Sequence, residues 1–280
     1  MSGSQSSVII LGINAFHGDA SACLLRDGQL VAAAEEERFR RIKHWAGFPS
    51  EAIGYCLGAA GVALRDVEHV AVNQDSKAHL GKKIAFALTK RPDLRLVLER
   101  VRNRQVRAGT SEHLRAAFPG QDWRGRLHAV EHHRAHLSSA FHVSPFGEAV
   151  VVSVDGFGDF ASGSWGVGRG TRIEIDDRVY FPHSLGVFYQ ALTQYLGFPH
   201  YGDEYKVMGL APYGEPVYLE AMRRIVLLEA DGGFRLDLAC FRHSREQISF
   251  QWDNGAPLVG TLYTHELERL LGPARGEGDP

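Results

Sequence analysis

Residues 7–44, SVIILGINAFHGDASACLLRDGQLVAAAEEERFRRIKH, decide the fold. Val8–Ile13 is a short apolar run rich in β-branched residues and predicts a buried strand. Gly18–Ser21 is a small polar turn. Ala22–Leu25 and Leu30–Ala34 flank Arg26-Asp27-Gly28-Gln29, and Asp-Gly between apolar runs signals a hairpin. A strand, a turn and a meander therefore open the chain, and Glu35–Arg41 follows as a charged run. Residues 148–174, EAVVVSVDGFGDFASGSWGVGRGTRIE, repeat that order. Val150–Val154 is a second buried-strand candidate, ending in the acidic glycine turn Asp155-Gly156-Phe157-Gly158-Asp159. A strand through Trp165–Val167 and a turn at Gly168–Thr171 follow. Laid over the first stretch, Gly158-Asp159 falls on Gly18-Asp19. Such a repeat points to an α/β fold of two related lobes, with the second starting near residue 148 and lacking its closing elements.

Between and beyond these stretches the pattern is helical. Residues 50–61 read as a helix with Ser50 as N-cap and Gly61 at its end. Val67–Val72 and Leu127–Val130 are further strand candidates. Residues 76–118, 184–198, 217–230 and 260–271 have helical character, as does the centre of the glycine-bounded loop 201–216. Within 76–118, the basic stretch Arg95–Arg107 reads as the solvated face of an amphipathic helix.

Composition excludes several classes. The 280 residues are 44% hydrophobic and 23% charged, with 31 basic against 33 acidic side chains. Nothing in that balance draws the molecule to nucleic acid or to a membrane surface. Cys23, Cys56 and Cys240 are scattered, which fits reduced thiols better than a disulfide framework. The opening MSGSQSSVIILG has neither a basic leader region nor a long apolar segment, so a cytoplasmic protein is expected.

Chemistry is concentrated in VEHHRAHLSSAF, residues 130–141. On a helix, His132 and His136 share a face and can bind one divalent ion. A carboxylate would complete such a set for iron, manganese or zinc, and Asp155 is the candidate at the end of its strand. The zincin pattern is absent because His133 follows His132. The alternative reading has His132 capping a helix, His133 and Arg134 solvated, and His136 packed. The two acidic glycine turns, with Asp19 in one and Gly156, Gly158 and Asp159 in the other, can bring backbone N–H groups close to an anion such as a nucleotide phosphate. They also read as plain hairpin turns. Lys43 and Lys206 are candidate anion contacts or ordinary surface lysines. His17, in the first turn, is either a general base or a hydrogen-bonded turn residue.

The motifs GINAFHGDASACLL, EEERFRRIKHWAGFP, HHRAHLSSAF, VDGFGD and GDEYKVMGLAPYG stand in register from about residue 8 onward. Together they resemble the N-terminal domain of the O-carbamoyltransferases of antibiotic and nodulation-factor biosynthesis. The resemblance implies an actin/Hsp70/sugar-kinase-like (ribonuclease H-like) fold. Residues 1–147 would form the first lobe and 148–280 the start of the second. It implies a divalent metal, usually iron, on His132, His136 and Asp155. ATP and carbamoyl phosphate would form a carbamoyl-adenylate in a separate C-terminal domain. A hydroxyl of a small-molecule natural product would then take the carbamoyl group, with His17 as general base. Family members are about twice as long, and their second half supplies a further aspartate ligand and the carbamoyl-phosphate domain. The expected partner is therefore that missing half, in cis or in trans, and this chain alone should be inactive. Two rivals remain: a tRNA threonylcarbamoyl-transfer-like protein, and a non-catalytic remnant or partner of a split enzyme.

Overall fold

Strict alternation along Ile9–Asn14 (β1) buries Ile9, Leu11 and Ile13 on one face. β1 pairs antiparallel with β2 (Ser21–Arg26), which pairs antiparallel with β3 (Gln29–Glu35) through the turn at Asp27-Gly28. Both turn residues have positive φ, 52° and 79°, the backbone that Asp-Gly favours. The structure, a computed structural model, describes residues 7–90, 109–246, 248–253, 256–276 and 279. The expected helix over Arg95–Arg107 lies outside them. The chain divides into two compact units: residues 1–76, 93–130 and 252–257, and residues 77–92, 131–251 and 258–280.

In the first unit β1 also pairs in parallel with β4 (His69–Val72), and β4 in parallel with β5 (Arg126–Ala129). The sheet order is β3-β2-β1-β4-β5. An antiparallel meander continued by parallel strands is the ribonuclease H-like arrangement. A short helix α1 (Glu37–Arg40) follows β3, and α2 (Ser50–Ala60) lays Ile53, Cys56 and Leu57 onto Leu11, Leu24 and Val70. Gly61 ends α2 in the left-handed region at φ 64°. Ser50 is not the cap of α2. The buried Glu36 carboxylate takes the N–H groups of Glu51 (3.2 Å) and Ala52 (2.8 Å), while Ser50 Oγ accepts from Arg40. Arg40 Nε reaches Glu36 at 2.8 Å, and its guanidinium lies 4.7 Å from the centre of the Trp45 ring. The charged run thus anchors a helix as well as meeting solvent.

In the second unit β6 (Glu148–Gly158), β7 (Ala161–Arg169) and β8 (Arg172–Tyr180) form an antiparallel sheet, β6-β7-β8. It matches the β1–β3 meander, as the repeat predicts. Among the described residues no parallel strand joins it. α5 (His132–Phe141) covers one face through Leu137 and Phe141 on Val151 and Ile173. The second core gathers α6 (Leu185–Tyr195), α8 (Leu219–Ile225) and α9 (His265–Leu271) around Phe241. α3 (Leu80–Lys90) and α7 (Glu204–Leu210) complete the unit, and α4 (Thr110–Ala117) belongs to the first. The expected helix 217–230 stops at Ile225. Val226–Leu228 (β9) instead pairs with Phe234–Leu236 (β10) across a turn that needs Gly232 at φ 86°. Among the described residues, no helix is long and apolar enough to cross a membrane.

Candidate metal centre

β6 does not end at Asp155, as its glycines suggest. It runs on to Gly158, and the hairpin turn is Asp159-Phe160, both at positive φ (50° and 81°). The register with β7 shifts between Val154 and Gly158, so Asp155 stands in an irregularity of the strand. Such an interruption re-aims a side chain that regular pleating would fix. The start of α6 holds the Asp155 backbone. Ser184 Oγ donates to the Asp155 carbonyl at 2.9 Å, and a Cβ at Gly186 would overlap the Asp155–Gly156 peptide.

Helix α5 brings the two histidines to this carboxylate. Asp155 Oδ2 lies 2.7 Å from His132 Nε2 and 3.3 Å from His136 Nε2, and the two nitrogens are 3.0 Å apart. With neutral imidazoles and an ionised carboxylate, lone pairs crowd one point, an arrangement that calls for a positive centre between them. Ligands at about 2.1 Å from a metal and about 90° apart would be separated by about 3.0 Å, so the donor set fits a divalent ion. Two imidazoles and one carboxylate suit iron, manganese or zinc. His132 is almost wholly buried, whereas His136 and Asp155 are partly exposed, so the cluster is open on one side. Burial pushes the Asp155 carboxyl up. With no ion between them, imidazoles protonated at Nε2 donate to Asp155 instead, and these hydrogen bonds and the His132 charge outweigh burial, holding the carboxyl well below the ordinary range.

Glu131, which no sequence motif marks, is the N-cap of α5. Its carboxylate accepts from His133 N (3.1 Å) and Arg134 N (2.9 Å). Asp159 Oδ2 accepts from His132 N at 3.0 Å, and Ala135 N bonds the Glu131 carbonyl at 2.9 Å. All four leading N–H groups of the helix are therefore satisfied from within the protein. His79 and Arg178 lie 3.4 and 3.6 Å from the Glu131 carboxylate. Burial pushes that carboxyl up, but the N–H groups of Arg134 and His133, the Arg178 charge and His79 pull it below the usual value. His133, solvated on the alternative reading, is fully buried and hydrogen-bonded to Ser153 Oγ at 2.9 Å. Burial pushes its imidazole down.

The remaining candidates divide between the units. Gly156 N donates to its own Asp155 Oδ1 at 2.6 Å, and a Cβ at Gly158 would overlap the His132 ring. Lys206 pairs with Asp203 at 2.7 Å. His17, Asp19 and Lys43 belong to the first unit. There the Gln74 amide lies 3.0 Å from His17 Nε2, His44 Nδ1 meets Asp19 at 2.9 Å, and Lys43 Nζ meets Glu37 at 3.2 Å. Asp19, Glu37 and His44 form a second, more exposed group whose ligand atoms come within 4.8 Å of one another. Glu37 lies in the charged run Glu35–Arg41 and His44 three residues beyond it.

Residues 9–253 match the family model for the carbamoyltransferase N-terminus. The uncharacterized protein sll1178 of Synechocystis is 38% identical over 254 residues, 84% of this chain and 40% of that protein. Nodulation protein NolNO of Sinorhizobium fredii is 38% identical over 228 residues, 80% of this chain and 32% of that protein. Among solved structures, YeaZ from Pseudomonas aeruginosa superposes with a TM-score of 0.34 at 14% identity, over 62% of this chain and 68% of its own. The chain spans well under half the length of the two sequence relatives. With a family model matching nearly the whole chain, this protein belongs to the carbamoyltransferase N-terminus family.

Proposed function

We propose that this chain is the acceptor-side part of an O-carbamoyltransferase, which moves a carbamoyl group from an ATP-derived carbamoyl-adenylate to a hydroxyl of a small-molecule natural product. The carbamoyl group comes from carbamoyl phosphate, activated in a C-terminal part of the kind the longer relatives have room for. The observation that carries the reading is the convergence of His132, His136 and Asp155 within 3.3 Å in a member of this family. These three residues hold a divalent metal, iron in the first instance. When bound, it supplies Lewis-acid stabilisation of charge on the leaving phosphate.

The chain's own residues do the rest. Asp155, held ionised, offers its carboxylate to the ion, and Glu131 and Asp159 fix the helix that presents the imidazoles. The acceptor oxygen attacks the carbamoyl carbon, the bond from that carbon to the adenylate phosphate breaks, and AMP leaves. His17 takes the hydroxyl proton at Nε2, with the Gln74 amide giving way, since a neutral imidazole raises the nucleophilicity of an alcohol. Lys43 and Lys206 contact phosphate oxygens in this reading, each released from its carboxylate partner. Gly156 and Gly158 keep the strand close to the site without side chains of their own, and Asp19 orders the His17 turn.

The test joins the C-terminal remainder of a longer relative to this chain and supplies carbamoyl phosphate, ATP and a panel of hydroxylated small molecules. Mass spectrometry should show a carbamoylated product that needs ATP and is lost in His132→Ala and His17→Ala. Transfer that persists in His132→Ala would contradict the site.

A further inference from the structure

The motif GDEYKVMGLAPYG, residues 202–214, opens on one wall of a cleft that belongs wholly to the second unit. Helix α6 stands between this cleft and the metal centre. Its N-cap, Ser184, holds the Asp155 carbonyl, while Gln194 and the loop after the helix line the cleft. Over the 11 residues of α6 that is a separation of about 16 Å. The cleft encloses about 600 Å³, within the range of small-molecule sites. Gly197 and Gly202 take positive φ, 85° and 84°, and Phe198 N donates to the Thr193 carbonyl, so the chain leaves α6 in a tight loop. Arg275 is fastened to the same loop, its backbone N–H donating to the Tyr195 carbonyl at 3.0 Å.

The lining combines an apolar wall with basic side chains. Phe198 and Pro199 make the wall, and Lys206, Arg275 and His200 carry the basic groups. Asp203 is the carboxylate on the lining, and it is already committed. It is buried, accepts from His200 N at 3.2 Å and pairs with Lys206 Nζ at 2.7 Å. Lys206 Nζ also lies 5.7 Å from the centre of the Phe198 ring. The exposed Arg275 guanidinium donates to the Asp279 carbonyl at 2.9 Å, and among the described residues no carboxylate pairs with it. Asp279 turns its own carboxylate to Gly276 N, at 2.7 Å. A planar guanidinium fork matches a carboxylate or a phosphate, and an aromatic face matches a ring.

We propose that this cleft binds a small ring-bearing anion. Arg275 takes its carboxylate or phosphate, Lys206 supplies a second positive charge, and the ring lies against Phe198. The site gives Lys206 an anion to contact without calling on the metal. Failure of the metal centre or of carbamoyl transfer would leave it standing, and its own failure would leave both of them standing.

The probes are phenyl phosphate, benzoate, inorganic phosphate and phenol, titrated into the metal-free protein and followed through the NMR shifts of the Gly197, Gly202 and Arg275 amides. Phenyl phosphate or benzoate should bind about tenfold more tightly than inorganic phosphate or phenol, since each of the latter offers half of the contacts. The tighter of the two ring anions identifies the group that Arg275 prefers. Arg275→Gln and Phe198→Leu should each weaken that binding by about fivefold, with an amide spectrum that stays native elsewhere. Arg269→Gln, at an exposed arginine on α9, should leave it unchanged, as should His132→Ala. Ring anions that bind no better than phosphate or phenol would overturn the proposal. So would binding indifferent to Arg275→Gln, or binding lost in His132→Ala, which would put the ligand at the metal centre instead.

Discussion

Asp155 is the residue on which the site turns, because its carboxylate joins both imidazoles and sits where regular pleating is interrupted. Around it, small changes should have large and separable effects. Gly158→Ala pushes a methyl group into the His132 ring, so metal affinity should fall at least tenfold while circular dichroism stays native. An unchanged affinity would mean that the ring can move aside. Glu131→Ala removes the cap of α5 and should cost about 1 kcal/mol in urea unfolding. The Glu131 carboxyl is held below its ordinary value, so its contribution is present above about pH 4.3, the unfolded-state value, and disappears as pH falls through the lower folded-state value. The gap between wild type and Glu131→Ala should therefore be full at pH 7 and shrink as the solution is acidified below the ordinary carboxylate range, and a gap independent of pH would contradict the capping role. The histidine pair is legible in sequence because helical spacing alone puts the two rings on one face. Glu131 is not, since glutamate is outside the usual capping set. Gly158 reads as part of an anion-binding turn, and only the folded chain shows that it makes room for an imidazole.

At the scale of elements, alternation and Asp-Gly make the opening meander and its repeat readable from the residues alone. What sequence conceals is where β6 ends, because Gly156 and Gly158 look like a turn while the backbone continues as a strand to Asp159-Phe160. The cap of α2 is hidden for another reason: it comes from Glu36, fifteen and sixteen residues before the N–H groups it accepts. Because Glu36 is fully buried and paired with Arg40, Glu36→Ala should destabilise the protein by on the order of 3 kcal/mol. Urea unfolding would show this, and a loss below about 1 kcal/mol would mean that water or Ser50 replaces the carboxylate.

For the whole molecule, the matching meanders of the two units are what a repeat of this kind leads one to expect, while the parallel strands of the first have no counterpart beside β6–β8 among the described residues. The family is readable from five motifs, and the fold gives several of them a physical role: EEERFRR holds α2, HHRAH and VDGFGD bring His132, His136 and Asp155 together, and GDEYK pairs Lys206 with Asp203. The acceptor is not readable, because no side-chain constellation among the described residues of either unit has the signature of one hydroxylated molecule. The most direct measurement is anaerobic titration of the protein with ferrous iron, with metal content per chain determined after desalting, for wild type, His132→Ala and Asp155→Ala. Close to one iron per wild-type chain, with at least tenfold weaker binding in each variant, is the expected result. Equal iron content in all three, or none in the wild type, would contradict a metal centre at His132, His136 and Asp155.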